Sequence, residues 1–192
     1  MKQLLRQKMK EYRNSLSLIE IDEKSDEIFF NLQNLIKSFK EKIYFVYLSF
    51  SSEVKTQKII DFLLECGKQV YVPKVEQSEM VAIEINKNSK FQKSKFGIFE
   101  PIGKSEEIDN FVAIIPCLAV SLNGERLGYG GGYYDKFLKS KIAKKVAICF
   151  DNQIVDFIKT ESFDINMNYI VSDKRTIEIK KRWNSSLFFN YY

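Results

Sequence analysis

Apolar positions recur at helical spacing in some segments and gather into short runs in others, and their alternation predicts an α/β order. Over residues 2–14, Leu4, Leu5 and Met9 fall on one side of a helix and Lys2, Arg6, Lys10 and Arg13 on another, which reads as a solvated basic face. Residues 18–40 carry the stripe Ile28, Leu32, Leu35, Ile36 and Phe39 and predict a longer helix with one buried face. The run 43–48 predicts a strand. Ser51 or Ser52 is then placed to cap a helix with Glu53 in its first turn, Ile59, Ile60, Leu63 and Leu64 on its core face and Gly67 at its stop. A second strand at 69–73 completes a βαβ unit, which demands parallel strands and a right-handed crossover. Ligands in such sheets bind beyond the C-terminal ends of the strands, and Leu48 to Glu53 lies at such an end.

Further along, 80–85 reads as a weaker strand, 87–95 as an exposed basic stretch and 96–101, FGIFEP, as a short apolar loop. Phe111–Pro116 is a buried strand, extended by 118–122 and followed by an Asn123-Gly124 turn signal. A helix is expected over 133–142, from Phe137, Leu138 and Ile142, with short strands at 146–150 and Tyr169–Val171. The segment after Lys174 is basic, then aromatic, ending SSLFFNYY. No repeat, domain boundary or low-complexity stretch interrupts the chain, so residues 1–192 are expected to form a single domain. The fold class is α/β: an open, mostly parallel sheet with helices on both faces, a Rossmann-like three-layer sandwich.

Of the eight glycines, Gly124, Gly128, Gly130, Gly131 and Gly132 fall within NGERLGYGGGYYDKFL, residues 123–138. A backbone so free of Cβ atoms can take positive φ angles and approach a ligand closely. The order strand, glycine loop, helix aims free N–H groups and a helix dipole at one spot, which suits a phosphate. No Lys-Ser/Thr follows the glycines, so this is not a Walker A loop, and Tyr133 stands where a dinucleotide fingerprint needs glycine. A plain linker would not bracket its glycines with an arginine, two tyrosines and an aspartate.

Composition narrows the chemistry. With 45% hydrophobic and 29% charged residues in 192, the chain is globular in kind and long enough for a full core. No apolar run reaches membrane-span length and residues 1–13 have no signal-peptide core, so a cytoplasmic protein is expected. Cys66, Cys117 and Cys149 each end an apolar run, lack any C-x-x-C pairing, and read as reduced core residues. The chain has no histidine, which excludes Ser-His-Asp and Cys-His catalysis and the H-E-x-x-H zinc helix. The net charge of +5 favours anionic ligands but is too modest to argue for nucleic acid.

The stretch RLGYGGGYYDKFL, preceded by PCLAVSLNGE, closely resembles the signature of the 5-formyltetrahydrofolate cyclo-ligase family, also called methenyltetrahydrofolate synthetases. KQLLR, LSFSSEVKT and FDINMNYIVSD agree with further motifs of that family in the same order. The resemblance implies an open α/β sheet and conversion of 5-formyltetrahydrofolate plus MgATP to 5,10-methenyltetrahydrofolate, ADP and phosphate. Carried over by position, Lys2 and Arg6 hold ATP phosphates, and Arg126, Leu127, Gly128, Tyr129, Gly130, Gly131, Gly132, Tyr133 and Tyr134 form the nucleotide loop. Residues Tyr129, Gly130, Gly131, Gly132 and Tyr133 also face the folate; Leu48 and Glu53 contact its pterin side; Asp135 and Asp164 bind Mg²⁺. Arg126 and Tyr133 are the candidate catalytic residues. Ser121 and Phe163 depart from the family pattern, standing where Asp and His are common.

The implied reaction needs alignment and charge neutralisation more than a proton-transfer base. A formyl oxygen enriched by the amide nitrogen attacks the γ-phosphate, N10 then attacks the activated carbon, and loop N–H groups, Arg126, Arg6 and Mg²⁺ stabilise the charge. Glu53 and Asp135 also have plain readings as first-turn helix carboxylates, and of Tyr133 and Tyr134 one is expected to stack on a flat ring and the other to pack inside. The folate, polyglutamylated or not, is the expected partner of a monomer that binds neither nucleic acid nor membrane. A basic RNA-binding module, and a sugar-phosphate or coenzyme A enzyme on the same sheet, are the competing readings.

Overall fold

A computed structural model describes residues 2–93 and 99–180. The first part of FGIFEP and the aromatic end of the chain lie outside the described residues. The helices are α1 (Lys2–Ser15), α2 (Leu18–Lys37), α3 (Gln57–Glu65) and α4 (Tyr133–Leu138). The strands are β1 (Ile43–Val46), β2 (Gln69–Glu76), β3 (Glu79–Ile85), β4 (Phe91–Lys93), β5 (Phe99–Pro101), β6 (Ser105–Glu106), β7 (Phe111–Pro116), β8 (Ala119–Ser121), β9 (Arg126–Leu127), β10 (Ala143–Ile148), β11 (Ile154–Val155), β12 (Tyr169–Val171) and β13 (Thr176–Glu178).

One eight-stranded sheet runs in the order β13-β12-β10-β7-β1-β2-β3-β6. Its middle, from β12 to β2, is parallel, and both flanks are antiparallel. This is the expected α/β sheet, with helices on both faces. Strand β7 shows why it sits in the middle: every residue of FVAIIP is buried. Val112 and Ile114 enter the core beneath α2 and α3, while Phe111, Ala113 and Ile115 enter the core that includes Leu138 of α4. A strand apolar at every position needs cover on both faces, as parallel sheets have. Truncating Ile114 to Ala would cost about 2–5 kcal/mol.

The local chemistry sets the element ends. A capping box between Ser17 and Glu20 starts α2. Helix α4 stops well short of the expected 142, because the Ile142 N–H donates to Asp109 Oδ1 at 2.6 Å and its carbonyl accepts from Phe111, drawing it into the sheet. Helix α3 begins at Gln57, not beside Ser51 or Ser52, so Glu53 is not in its first turn. Ser51 takes φ 55°, and the Ser52 hydroxyl donates to Asn14 Oδ1. Cys117 and Cys149 are buried as expected, but Cys66, at the end of α3, is exposed. No helix among the described residues is long and apolar enough to cross a membrane.

Strand β1 has β2 on one side and β7 on the other. The chain leaves β1 toward β2 and later returns to β7, so a crevice opens beyond the carboxyl ends of β1 and β7. Tyr47, Leu48 and Pro116 stand there.

Candidate active site

The glycine loop does not follow β7 directly. Strands β8 and β9 intervene as an antiparallel hairpin around the Asn123-Gly124 turn. Ser121 shapes that turn: its hydroxyl accepts from the Asn123 and Glu125 N–H groups and donates to the Glu125 carboxylate. Strand β9 then delivers Arg126, and the chain turns through 128–132 with φ +110° at Gly130 and +67° at Gly132. Both angles lie where a side chain is strained. Gly132 caps α4 in the left-handed region, but α4 has only six residues, so the expected helix dipole counts for little here.

Arg126 is the fixed centre of the loop. Its Nη1 donates to the Pro116 carbonyl at 3.2 Å and its Nη2 pairs with Asp135 at 3.0 Å. Its guanidinium lies 5.5 Å from the centroid of the Tyr134 ring. Its Nε is buried with no hydrogen-bond partner among the described residues. A buried donor without an acceptor is costly.

Helix α1 brings further cations. Of the basic face expected to be solvated, Lys10 is exposed, but Lys2, Arg6 and Arg13 turn inward with Met9, while Leu4 is 73% exposed. Arg6 donates from Nε to the Gly128 carbonyl at 2.9 Å. Lys2 pairs with Asp164 at 2.7 Å. The first turn of α1 holds no acidic residue, so the helix dipole and Lys2 add potential of the same sign.

The two expected metal ligands meet. Asp135 Oδ1 accepts from the N–H of Ile165, the residue after Asp164. Burial would raise the Asp164 carboxyl, but the Lys2 ammonium and the Glu161 N–H hold it below the usual range. Lys2 therefore already favours the charged form of Asp164. Mg²⁺ takes one or two carboxylates and completes its shell with phosphate oxygens and water. Asp135 and Asp164 fit that requirement, although among the described residues no group of three or more His, Cys, Asp or Glu side chains forms a metal cage.

Two cavities result. One, of about 540 Å³, is lined by Lys2, Arg6, the 126–135 segment and Asp164. The other, of about 380 Å³ and mostly apolar, is lined by Leu48, Phe50, Glu53, Val75 and Phe99 among others. They share Met80, Pro116, Tyr129 and Tyr134 as a common wall. In the apolar cavity Glu53 is buried, its Oε2 accepting from the Phe50 N–H and its Oε1 from the Tyr129 hydroxyl at 2.7 Å. Burial pushes the Glu53 carboxyl up, against the opposing pull of Tyr129, the Phe50 N–H and Arg13.

The structure thus sorts the expected residues into two sets, the phosphate and metal candidates around one cavity and Leu48 and Glu53 around the other. Tyr133 is 38% exposed on the first cavity and Tyr134 is half-buried between the two. Phe163, 55% exposed, lines the first cavity beside Asp164. Sequence reasoning missed Arg13, whose Nη2 donates to the Tyr129 hydroxyl at 2.7 Å. A signal existed: Lys2, Arg6, Met9 and Arg13 fall on one helical stripe, i, i+4, i+7, i+11. Met80 and Pro116 were also missed, since nothing local marks an apolar residue as a cavity wall.

Comparisons with known proteins identify the family. Residues 1–173 match the 5-formyltetrahydrofolate cyclo-ligase family. A 5-formyltetrahydrofolate cyclo-ligase of Haemophilus influenzae is 26% identical over 176 residues, covering 85% of this chain and 93% of its own length. The solved 5,10-methenyltetrahydrofolate synthetase of Aquifex aeolicus superposes with a TM-score of 0.83 at 27% identity, covering 100% of this chain and 99% of that one. The corresponding synthetase of Mycoplasma pneumoniae gives a TM-score of 0.71 at 26% identity over 90% of this chain and 98% of that one.

Proposed function

This chain belongs to the 5-formyltetrahydrofolate cyclo-ligase family and is a ligase, and from that membership we propose that it cyclises 5-formyltetrahydrofolate to 5,10-methenyltetrahydrofolate with ATP as co-substrate. One observation carries the proposal: a cavity where Lys2, Arg6 and Arg126 stand beside Asp135, Glu161 and Asp164, a mix suited to a polyphosphate with its divalent metal, shares a wall with an apolar cavity holding a buried carboxylate. A polyphosphate suits the first. A flat heterocycle with N–H donors suits the second, where Glu53 accepts. The reacting groups, γ-phosphate and formyl oxygen, then meet beside Tyr129 and Tyr134.

In this reading the formyl oxygen attacks the γ-phosphorus and ADP leaves. The resulting phosphate ester has an electrophilic carbon, which N10 attacks with loss of its proton, and phosphate departs. Arg126, on the cavity wall, holds phosphate oxygens through its guanidinium, and Arg6 fixes the loop by its bond to Gly128. Asp135 and Asp164 would hold Mg²⁺, which supplies charge neutralisation on the phosphates. Tyr133 faces the ligand, while Tyr134 separates the two cavities. The protein acts as a monomer on the folate, with or without added glutamates.

The competing RNA-binding reading would use the cations of α1 as an exposed stripe, whereas Lys2 and Arg6 line a cavity and Arg13 is buried. A sugar-phosphate or coenzyme A enzyme would leave Glu53 and its apolar cavity without a role. The deciding experiment follows absorbance of the methenyl product. Its growth should require protein, 5-formyltetrahydrofolate, ATP and Mg²⁺ together. Growth without ATP, or none with all four, would overturn the proposal.

A further inference from the structure

A hydrogen-bonded chain runs from α1 into the apolar cavity. Arg13 is buried, and its Nη2 donates to the Tyr129 hydroxyl at 2.7 Å; that hydroxyl donates to Glu53 Oε1 at 2.7 Å. A guanidinium can only donate, and a phenol has one proton. Arg13 therefore occupies the acceptor side of the Tyr129 oxygen and leaves its proton no better course than Glu53. Glu53 Oε2 is fixed separately by the Phe50 N–H at 2.9 Å. Each carboxylate oxygen then has one protein donor and one lone pair free for the cavity.

From this geometry we infer that Arg13 is a positioning residue for the folate-side carboxylate: through Tyr129 it keeps Glu53 oriented and ionised for a ligand that presents N–H donors. The inference rests on Glu53 facing the folate.

The surroundings support it. Glu53 is faced by Tyr129 from the loop, Tyr47 from the end of β1, Tyr134 from α4 and Arg13 from α1, while Lys74 of β2 and Glu100 of β5 also line its cavity, Lys74 paired with Glu76 at 2.7 Å. Lys10 lies outside them, 5.6 Å from the centroid of the Tyr129 ring. The Tyr47 hydroxyl is committed elsewhere, donating to the Val54 carbonyl. Burial pushes Glu53 up, and Tyr129 and Arg13 pull it down. Removing either partner leaves the upward push less opposed. The neutral acid then forms at higher pH, and ligand affinity is lost as pH falls through that raised value.

The test measures equilibrium binding of 5-formyltetrahydrofolate, without nucleotide, against pH for wild type, Arg13→Gln, Arg13→Lys, Tyr129→Phe and Glu53→Gln. Arg13→Gln should move the acid limb upward by about one pH unit, roughly tenfold weaker binding within the limb, with a smaller loss above it. Tyr129→Phe keeps the ring and removes only the oxygen, so it breaks the chain with little risk to folding and should move the limb the same way. The double variant should add little to either single change. Arg13→Lys, which still donates, should restore part of the shift. An acid limb of Arg13→Gln that superimposes on wild type, or an affinity loss equal at every pH, overturns the inference. If Glu53→Gln leaves folate affinity unchanged, the assignment of Glu53 fails as well; if it weakens binding while the Arg13 limb stays put, only the role of Arg13 fails.

Discussion

Replacing Arg126 by lysine tests the phosphate site most directly. The arginine makes two fixed bonds, to the Pro116 carbonyl and to Asp135, and keeps Nε buried without a partner. A lysine ammonium is a single point charge on a flexible stem and cannot address three directions at once. If it keeps Asp135, the Pro116 carbonyl and the ligand oxygen both lose their donor. A charge-assisted hydrogen bond contributes about 1.5–3 kcal/mol and an unsatisfied buried acceptor costs about 1–3 kcal/mol. Part of that cost falls on folding, because Pro116 loses its partner whether or not ligand is bound. The part specific to catalysis is about 1–3 kcal/mol, so kcat/KM for ATP should fall about 5- to 150-fold. Initial rates at varied ATP with saturating folate, beside a melting curve of each protein, separate the two parts. An unchanged kcat/KM for ATP in a variant that melts lower would refute the reasoning, since Arg126 would then be a structural strut only.

Other consequences follow from the same geometry. A Cβ at Gly131 would stand 2.7 Å from the Tyr133 ring, so Gly131→Val should push that ring and abolish ATP binding by calorimetry while the far-UV spectrum stays native; normal ATP affinity would make the loop a mere connector. Glu53→Gln swaps an acceptor oxygen for a donor, and a buried mispairing of about 1–3 kcal/mol should raise KM for folate and leave KM for ATP nearly unchanged; the reverse pattern would overturn the assignment. Asp135→Asn should raise the Mg²⁺ concentration needed for turnover strongly, and Asp164→Asn less, because Lys2 already occupies Asp164; wild-type Mg²⁺ curves in both would mean that ATP alone holds the metal. Burial would raise Asp151, but bonds from Arg175 and Ser172 leave its carboxyl below the usual range, so its stabilisation is present at neutral pH and disappears as pH falls through that lowered value. Asp151→Asn should therefore melt lower than wild type at pH 7 and together with it near pH 2; a gap that persists in acid would argue against the ion pair.

The sheet was legible in sequence where burial is two-sided. The FVAIIP run has no polar position to blur its limits, and its strand begins and ends as expected. Residues 69–85 were legible in type, but the strands on either side of residues 77 and 78 are longer than the apolar run, because hairpin pairing extends β2 to Glu76. The serines before Glu53 misled for a physical reason. Ser-Ser-Glu has the chemistry of a helix start, yet Glu53 is committed to a partner 76 positions away, Tyr129, and the helix waits until Gln57. Local pattern cannot register a bond of that span. Arg13 failed likewise: a basic residue on an amphipathic helix reads as solvated unless the face opposite it is known to be an aromatic loop. The glycine loop was legible because its composition is extreme, and so were the strand within 118–122 and the Asn123-Gly124 turn, but β9 was not, since RL is too short to carry a period, nor was the separate sheet that β8 joins.

The bonds that close the first cavity join parts of the chain made at very different times. Lys2 reaches Asp164 across 162 positions and Arg6 reaches Gly128 across 122. During synthesis α1 emerges well before these partners and can meet them only after the segments that build β7 and β10 have followed it out. Its inward face carries three cations beside Met9 and Leu5, whose apolar partners Leu118, Leu127 and Ile158 are also made later. Amide exchange in the native protein should show the same order: α1 should open at lower cost than β7, and a bound polyphosphate should slow exchange in α1 most, because that ligand ties α1 to segments made much later.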